Sequence, residues 1–309
     1  MKKLTVIIPF SNEGAYLKKT LDSIRLTAEE EVDIVIVDDA SDDGINYEDI
    51  AEVYGCKYIK NEERIGPTAS RGKGVELAET AYVLLIDAHM SFYFNDWHNE
   101  FVEALEQSST AVYCANVVPL NRYARRDKKV LKGLLGDSNV IGVTADESKT
   151  SFIHNSHGET NLIPVLFGGS YAMSKEYFEA LDVSGSLKGV GCFNLLLSLK
   201  VFLDGGEVVF LEDTKIGHIY TDLLSYEVDT ASCRDDVTLL TGLLLDLSGQ
   251  DSIENIAEFS QEDSVEDSKE GIEEREKNMN FLKELICDKL NKRTVESFME
   301  FRDSFESGR

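Results

Sequence analysis

The segment Leu4-Thr5-Val6-Ile7-Ile8-Pro9-Phe10-Ser11-Asn12-Glu13 joins a continuous apolar run to a polar turn. Residues 4–8 lack the alternation of a half-exposed strand, so they predict a β-strand that is buried on both faces. A helix pattern follows, with Leu17, Leu21 and Ile24 spaced to share one face. The segment therefore begins a strand–helix unit.

The same combination recurs along the chain. Apolar runs at residues 34–37, 82–86 and 111–118 predict further strands, and a helical stretch lies around residues 75–79. Strands that alternate with helices indicate a parallel sheet covered on both faces. We therefore predict an α/β fold with a Rossmann-like, mostly parallel sheet. Later elements are expected at residues 175–181 (helix), 194–203 (helix) and 208–211 (strand).

The composition changes beyond about residue 230. The 309 residues, 42% of them hydrophobic, suffice for one core and an appendage. Residues 248–269 are acidic and rich in Ser and Gln, and the end of the chain again shows helical spacing. Thr294 is placed to cap a last helix that carries Phe298, Phe301 and Phe305 on one side. We predict a first domain at 1–230 and an acidic helical C-terminal extension at 231–309.

Charge, cysteines and hydropathy narrow the class of protein. A formal net charge of −26 disfavours a general nucleic-acid binder. The five cysteines are scattered and form no CxxC pair, which indicates neither a disulfide framework nor a cysteine zinc site. The N-terminal apolar run is too short for a signal peptide, and no run approaches the roughly 20 apolar residues of a membrane span. We expect a cytoplasmic protein without a membrane span.

Three predicted strands end in polar groups, at Ser11–Glu13, Asp38–Asp42 and Asp87–His89. In an open parallel sheet such ends meet at one edge, which is where ligands bind. Asp39 can accept hydrogen bonds from a nucleobase or a ribose hydroxyl, although its surroundings are also typical turn sequence.

Asp87 and His89 flank Ala88, so an extended chain points both side chains to one face. A carboxylate and an imidazole placed in this way can bind a divalent ion, which would neutralise a diphosphate. His218, after the last apolar strand, is a candidate third ligand. The alternatives are a helix-capping Asp and histidines with a structural or surface role.

Arg64 and Arg71 flank the turn Gly66-Pro67, which opens a helix and suits a diphosphate. Neither GxxxxGK[ST] nor a GxGxxG after the first strand occurs, which disfavours P-loop NTPases and NAD enzymes.

Taken in order, these motifs resemble the GT-A glycosyltransferases of the family 2 type, and more closely the polypeptide N-acetylgalactosaminyltransferases. The similarity includes Val37–Ser41, the Arg64–Gly74 stretch and Leu85–His89, which matches their Asp-x-His metal motif. It continues through the Gly-Gly strand of residues 167–178 and residues 205–220, and thus covers roughly residues 4–220.

The resemblance implies a UDP-sugar donor and Mn²⁺ (or Mg²⁺) held by Asp87, His89 and His218. It assigns catalytic roles to Asp87, His89 and Asn194. The expected nucleotide and donor contacts are Pro9, Phe10, Ser11, Glu13, Asp39, Gly66, Arg71, Asp87, Ala88 and Gly169.

Two departures from the family pattern bear on specificity. The family's Trp-Gly-Gly-Glu-Asn is replaced by Val190–Asn194, so that Phe193 stands at a sugar-binding carboxylate and Leu196 at a second acidic position. This loss argues for a different sugar or a sugar held differently, and removes the usual candidate general base. It favours a retaining mechanism, as in the group it resembles. An acidic helical extension stands where the family carries a lectin domain, so we do not expect the family's specificity for glycopeptides.

The acceptor stays open between a saccharide, a protein and a modified base. One basic cluster, Arg122, Arg125, Arg126, Lys128 and Lys129, is either a solvated helix face or a contact for an anionic acceptor such as nucleic acid. A phage-type DNA base glycosyltransferase fits the second interpretation.

Two further alternatives for the function of the whole protein are a nucleotidyltransferase and a degenerate nucleotide-sugar-binding protein. A loop with His154 and His157 is a possible cover for the donor.

Overall fold

The computed structural model of the chain describes residues 1–120, 161–166, 168–183, 192–219, 280–284, 286–287 and 291–307. The strands are β1 (Leu4–Phe10), β2 (Asp33–Asp38), β3 (Lys57–Lys60), β4 (Tyr82–Ile86), β5 (Met90–Ser91), β6 (Ala111–Leu120), β7 (Ser170–Ser174) and β8 (Glu207–Ile219). The helices are α1 (Ala15–Ala28), α2 (Tyr47–Tyr54), α3 (Pro67–Leu77), α4 (Trp97–Leu105), α5 (Lys175–Leu181), α6 (Cys192–Leu203) and α7 (Val295–Ser307).

The eight strands form one sheet in the order β3-β2-β1-β4-β7-β6-β8-β5. β1 pairs in parallel with β2 and β4, and the pairs β2–β3 and β6–β8 are also parallel. β7 runs antiparallel to β4 and β6, and β5 runs antiparallel to β8. The predicted α/β class with a mostly parallel sheet is confirmed.

Two apolar clusters lie on opposite faces of the sheet. One packs α1, α2 and α4 against the sheet and contains Leu17, Leu21 and Ile24, as their spacing predicts. The other packs α3, α5 and α6 against the opposite face and contains Phe193 and Tyr171. Side chains alternate between the faces along each strand, so β1 contributes Ile8 to the first cluster and Ile7 to the second.

Some elements differ from the sequence expectations. β8 extends to Ile219, whereas the sequence predicts that the strand ends near residue 211. The prediction stops early because the exposed Glu212 and Asp213 interrupt the apolar pattern, near a register shift between Ala115 and Asn116 of β6. The elements α2, β3, α4 and β5 were not predicted. β3 is a short edge strand with an exposed lysine at each end, so it has no apolar run to detect.

The predicted last helix is present as α7. Thr294 Oγ1 accepts a hydrogen bond from the backbone N–H of Ser297 at 3.3 Å, as expected of an N-cap. α7 packs on α6 through the fully buried Phe298, whose ring lies 5.4 Å from that of Phe202. Arg293 lies over the Phe202 ring at 4.7 Å and donates to the carbonyls of Gly205 and Gly206.

Several predictions fall outside the described residues, namely the domain boundary near residue 230 and the acidic stretch 248–269. Among the helices that the structure describes, none is both long enough and apolar enough to cross a bilayer.

The close approach of α3 to the sheet depends on Gly74. A Cβ atom at this position would lie 2.3 Å from Ile7 Cγ2 and 3.2 Å from Val37 Cγ2. We predict that Gly74→Ala lowers the free energy of unfolding by about 1–3 kcal/mol despite the higher helix propensity of alanine, because α3 must move away from β1 and β2.

Urea denaturation of the variant measures this loss. Gly44→Ala is the control, since a Cβ there meets nothing within 4 Å and only its φ of +78° costs about 1 kcal/mol. A Gly74→Ala protein as stable as the unsubstituted protein would contradict the prediction.

Candidate active site

The ends of β1, β2 and β4 meet at one edge of the sheet, as the sequence predicts. The backbone N–H of Asp39 donates to the carbonyl of Phe10 at 2.7 Å, and Ser11 Oγ donates to the carbonyl of Asp39 at 3.1 Å. Glu13 Oε1 lies 3.2 Å from His89 Nδ1, which links the turn after β1 to the end of β4. The three polar turns therefore form one site.

Asp87, His89 and His218 come together at this edge. Each offers one ligand atom, and the three atoms lie within 4.8 Å of one another. His218 Nε2 lies 3.4 Å from Asp87 Oδ2, and the two imidazole rings meet edge to face at 4.6 Å. His218 reaches the site because β8 pairs with β5, which places it opposite Met90.

The backbone between Asp87 and Met90 is hydrogen-bonded to a side chain of α1. Thr20 Oγ1 lies 2.8 Å from the carbonyl oxygens of both Ala88 and Met90. The backbone N–H of Ile219 donates to the carbonyl of His89 at 2.9 Å. These bonds fix the relative positions of the Asp87, His89 and His218 side chains. The sequence did not point to Thr20, because its two partners lie about seventy residues away along the chain.

Charge is balanced around Asp87. Arg71 Nη2 donates to Asp87 Oδ1 at 2.9 Å, and only 8% of the Arg71 side chain is exposed. Burial opposes ionisation of Asp87, but the hydrogen bond from His218 and the positive charge of Arg71 outweigh it and hold the pKa of the carboxyl well below its usual range. Asp87 is therefore ionised at neutral pH.

The two histidines differ in their affinity for a proton. Burial disfavours the charged form of His89, but its hydrogen bond to Glu13 and the charge of that carboxylate raise the pKa of His89 above the ordinary imidazole value. Burial dominates at His218 and lowers its pKa, although Asp87 acts in the opposite direction.

The donor set fits a divalent metal. One carboxylate and two imidazoles are ligands that first-row divalent ions accept, and a metal requires the imidazoles to be neutral on the coordinating nitrogen. Asp87, His89 and His218, the ligand set that the resemblance implies, would hold such an ion, and Arg71 lies beside Asp87.

Asp39 makes three hydrogen bonds to the loop before α3. Its Oδ1 accepts from the backbone N–H of Ile65 at 2.9 Å and from Asn61 Nδ2 at 2.8 Å, and its Oδ2 accepts from the N–H of Gly66 at 2.9 Å. Gly66 has a φ of +87°, a conformation that glycine adopts without the steric cost of a Cβ atom. Asp39 thus anchors the start of α3, a role that the nucleotide interpretation of the sequence does not include.

Asn61 is a site residue that sequence reasoning missed. It is 2% exposed, donates to Asp39 and to Ser70 Oγ, and accepts from Lys73 Nζ at 2.8 Å. It follows the unpredicted strand β3, so no strand end pointed to it in the sequence.

The remaining predicted donor contacts lie at the same edge in different settings. Pro9 and Phe10 are buried in β1, and the Phe10 ring packs on Tyr47 at 4.6 Å, so its side chain faces the core. Ser11 Oγ accepts from Arg64 Nη2 at 2.7 Å. Gly169 precedes β7, and its carbonyl accepts from the N–H of Asp87 at 3.3 Å.

The start of α6 brings Asn194 near the same edge. A Cβ atom at Gly168 would lie within 3 Å of the Asn194 side-chain amide, so this amide lies over the Gly168 backbone. Phe193 is 1% exposed and belongs to the apolar cluster that also contains Tyr171. The side chain at the family's carboxylate position therefore points into the core. The basic cluster of residues 122–129, His154 and His157 lie outside the described part of the chain.

The comparisons with known proteins define the class. The sequence profile of glycosyl transferase family 2 matches residues 5–182, more than half of the chain, and the chain belongs to this family. A crystal structure of GalNAc-T7 with UDP, GalNAc and Mn²⁺ is similar in fold, with a TM-score of 0.67 at 19% identity over 100% of this chain and 58% of the other. A mannosyltransferase from Pyrobaculum calidifontis in complex with GDP-Man and Mn²⁺ has a TM-score of 0.52 at 14% identity over 99% of this chain and 80% of the other.

Curated relatives give the particular resemblance. The chain is 24% identical to polypeptide N-acetylgalactosaminyltransferase 4 of Caenorhabditis elegans, over 71% of this chain and 38% of that protein. It is 26% identical to putative polypeptide N-acetylgalactosaminyltransferase 13 of Drosophila melanogaster, over 75% of this chain and 44% of that protein. The predicted resemblance is confirmed, and the chain spans less than half the length of these two relatives.

The anchoring role of Asp39 can be tested by its effect on folding. We predict that Asp39→Ala lowers the free energy of unfolding by about 2–4 kcal/mol, because two backbone N–H groups lose their acceptor and the Asn61 amide loses one of its two acceptors. Thermal unfolding monitored by circular dichroism measures the change.

The matched control is Asp49→Ala in the first turn of α2, which is exposed and is expected to cost at most about 1 kcal/mol. Equal losses in the two variants would show that Asp39 does not anchor α3.

Proposed function

We propose that this protein is a metal-dependent glycosyltransferase that moves a sugar from a UDP-sugar to a hydroxyl acceptor. The observation that carries the proposal is the cluster of Asp87, His89 and His218 at the convergent strand ends, with the cation of Arg71 beside it. Family membership and the fold shared with nucleotide-sugar-bound transferases support it.

Mn²⁺, or Mg²⁺, held by the three ligands would neutralise the charge that develops on the diphosphate leaving group. The residues around it hold the donor in place. Arg71 contributes positive charge beside Asp87, and the turns of Ser11 and Asp39 provide the edge against which we place the nucleotide. The resemblance to a retaining group, together with Phe193 at the position of the candidate base, favours retention of anomeric configuration.

The first donor to consider is UDP-N-acetylgalactosamine, because the similar crystal structure of GalNAc-T7 holds UDP, GalNAc and Mn²⁺. In this chain the apolar Phe193 and Leu196 stand where that group carries acids, and both are buried. We therefore propose a donor sugar other than N-acetylgalactosamine, or one that is held by different contacts. Asn194, over Gly168, is the polar side chain that α6 retains next to the donor edge.

A second candidate is transfer to a base of DNA, as in phage-type modifying enzymes. The specific observation is that β6 ends at Leu120, which pairs with Ile219 next to the metal ligand His218. The basic cluster begins two residues later in the sequence, in a chain with a net charge of −26. A positively charged stretch that follows β6 in the sequence suits an anionic acceptor. A cytoplasmic location remains a prediction from composition.

Metal-dependent donor turnover tests the leading proposal. We expect UDP release from at least one member of a UDP-sugar panel with Mn²⁺, and no release with EDTA. His89→Ala should weaken Mn²⁺-dependent UDP binding at least tenfold, because it removes one of three protein ligands.

His98→Gln is the matched control, since His98 lies on α4 and is not among the three clustered ligands. If the protein binds UDP with equal affinity in Mn²⁺ and in EDTA and releases none from any donor, the enzyme proposal fails in favour of a degenerate binding protein.

The salt dependence of duplex DNA binding distinguishes a DNA acceptor from a saccharide acceptor. If DNA is the acceptor, Arg125→Ala/Arg126→Ala should weaken binding of a duplex oligonucleotide. The slope of log affinity against log salt should fall by about one for each phosphate that these arginines neutralise.

Gel-shift titrations between low and physiological salt measure this slope. A protein that binds no duplex at low salt but glycosylates a saccharide acceptor would exclude the DNA candidate.

A further inference from the structure

Glu13 lies in a turn whose backbone is held in an unusual conformation. Asn12 has a φ of +56° and Gly14 a φ of +48°, so left-handed residues precede and follow Glu13. A left-handed conformation is costly for a residue other than glycine and persists only where surrounding contacts fix it.

Four hydrogen bonds fix Asn12. Its backbone N–H donates to Ser41 Oγ at 2.9 Å, and its Nδ2 donates to Asp42 Oδ1 at 2.9 Å. Its Oδ1 accepts from the backbone N–H groups of Asp42 and Asp43 at 2.9 and 3.2 Å. All four partners lie in the loop after β2, so this loop determines the direction in which the next side chain points.

The turn directs the Glu13 carboxylate inward. The residue is 5% exposed, and its side chain faces His89, with Oε1 at 3.2 Å from Nδ1. A buried carboxylate needs a compensating partner. Among the described residues, His89 is the side chain that hydrogen-bonds to this carboxylate.

The contact also determines which nitrogen of His89 is available. A carboxylate acts only as an acceptor, so the proton of the bond lies on Nδ1 and the lone pair of the neutral ring lies on Nε2. The other members of the cluster, His218 Nε2 and the Asp87 carboxylate, already face each other at 3.4 Å.

We propose that Glu13 is a positioning residue for the metal centre, which holds His89 as the Nδ1–H tautomer and thereby presents Nε2 as the ligand atom. The inference rests on the proposed metal-dependent function and assigns Glu13 a role other than contact with the nucleotide. A carboxylate that accepts the second N–H of a ligating imidazole orients the ring, and its loss typically weakens metal binding by about 10–100-fold.

Titration with Mn²⁺ alone, followed by electron paramagnetic resonance of the free ion, tests the effect on affinity. Glu13→Ala should weaken Mn²⁺ binding by about 10–100-fold. Glu13→Gln, whose amide oxygen can still accept from Nδ1–H, should lose less. Glu30→Gln, an exposed glutamate before β2, is the control and should bind Mn²⁺ as the unsubstituted protein does.

Long-range ¹⁵N–¹H spectra of the histidines in the metal-free protein provide the second measurement. At about pH 9, where imidazoles are neutral, His89 should be the Nδ1–H tautomer in the unsubstituted protein and shift toward the Nε2–H tautomer in Glu13→Ala. A merely structural role would lower the melting temperature without this change.

Two results distinguish a failure of the proposed metal-dependent function from a failure of the role proposed for Glu13. If the unsubstituted protein binds no Mn²⁺, the proposed metal-dependent function and this inference fall together. If it binds Mn²⁺ and Glu13→Ala binds within twofold of it with His89 in the same tautomer, only the role of Glu13 is overturned.

Discussion

Backbone hydrogen bonding along both edges of β1 is the constraint on which the site depends. β1 pairs in parallel with β2, which places Phe10 opposite Asp38, and on its other side with β4. Because the three strands run in one direction, their carboxyl ends open at the same edge, and the irregular backbone needed for binding is confined to the turns there. A slip of one residue in either pairing would move buried side chains to the opposite face, so the core that stabilises the fold also keeps the site in register.

Helix α3 joins the turn that contains Asp39 to the cluster of Asp87, His89 and His218. Its start is held by Asp39 through the N–H of Gly66, and one turn further on Arg71 donates to Asp87. Gly74 lets the helix lie directly on β1 and β2, which keeps Arg71 at a fixed distance from the strand ends. The carboxylate of Asp39 and that of Asp87 are thus connected through one rigid element. Charges held by such an element need little reorganisation when a charged ligand binds.

The sequence predicted the parts of this arrangement that local patterns carry. Buried strands are readable as apolar runs, and Asp87 and His89 follow from the alternation of an extended chain. The sequence alone made His218 one candidate ligand with structural or surface alternatives, and the resemblance assigned it to the metal, because the β5–β8 pairing that brings it to Asp87 leaves no local pattern. Asn61 was missed because β3 is a partly exposed edge strand. Glu13 was assigned to the nucleotide because its partner lies 76 residues away in sequence.

The start of α6 departs from the pattern of the family it resembles, although the fold is the same. In this chain Phe193 lies in the apolar cluster that α6 packs on, and Leu196 is also buried; acids at these positions would need a polar partner to be buried at acceptable cost. On β7, the buried hydroxyls of Ser170 and Tyr171 have no hydrogen-bond partner among the described residues. A buried hydroxyl without a partner costs free energy that water or a ligand group can recover. Since discrimination between sugars depends on which buried polar groups a substrate leaves unpaired, the apolar Phe193 and Leu196 are a reason to expect a different preferred sugar, whereas the cluster of Asp87, His89 and His218 involves neither residue.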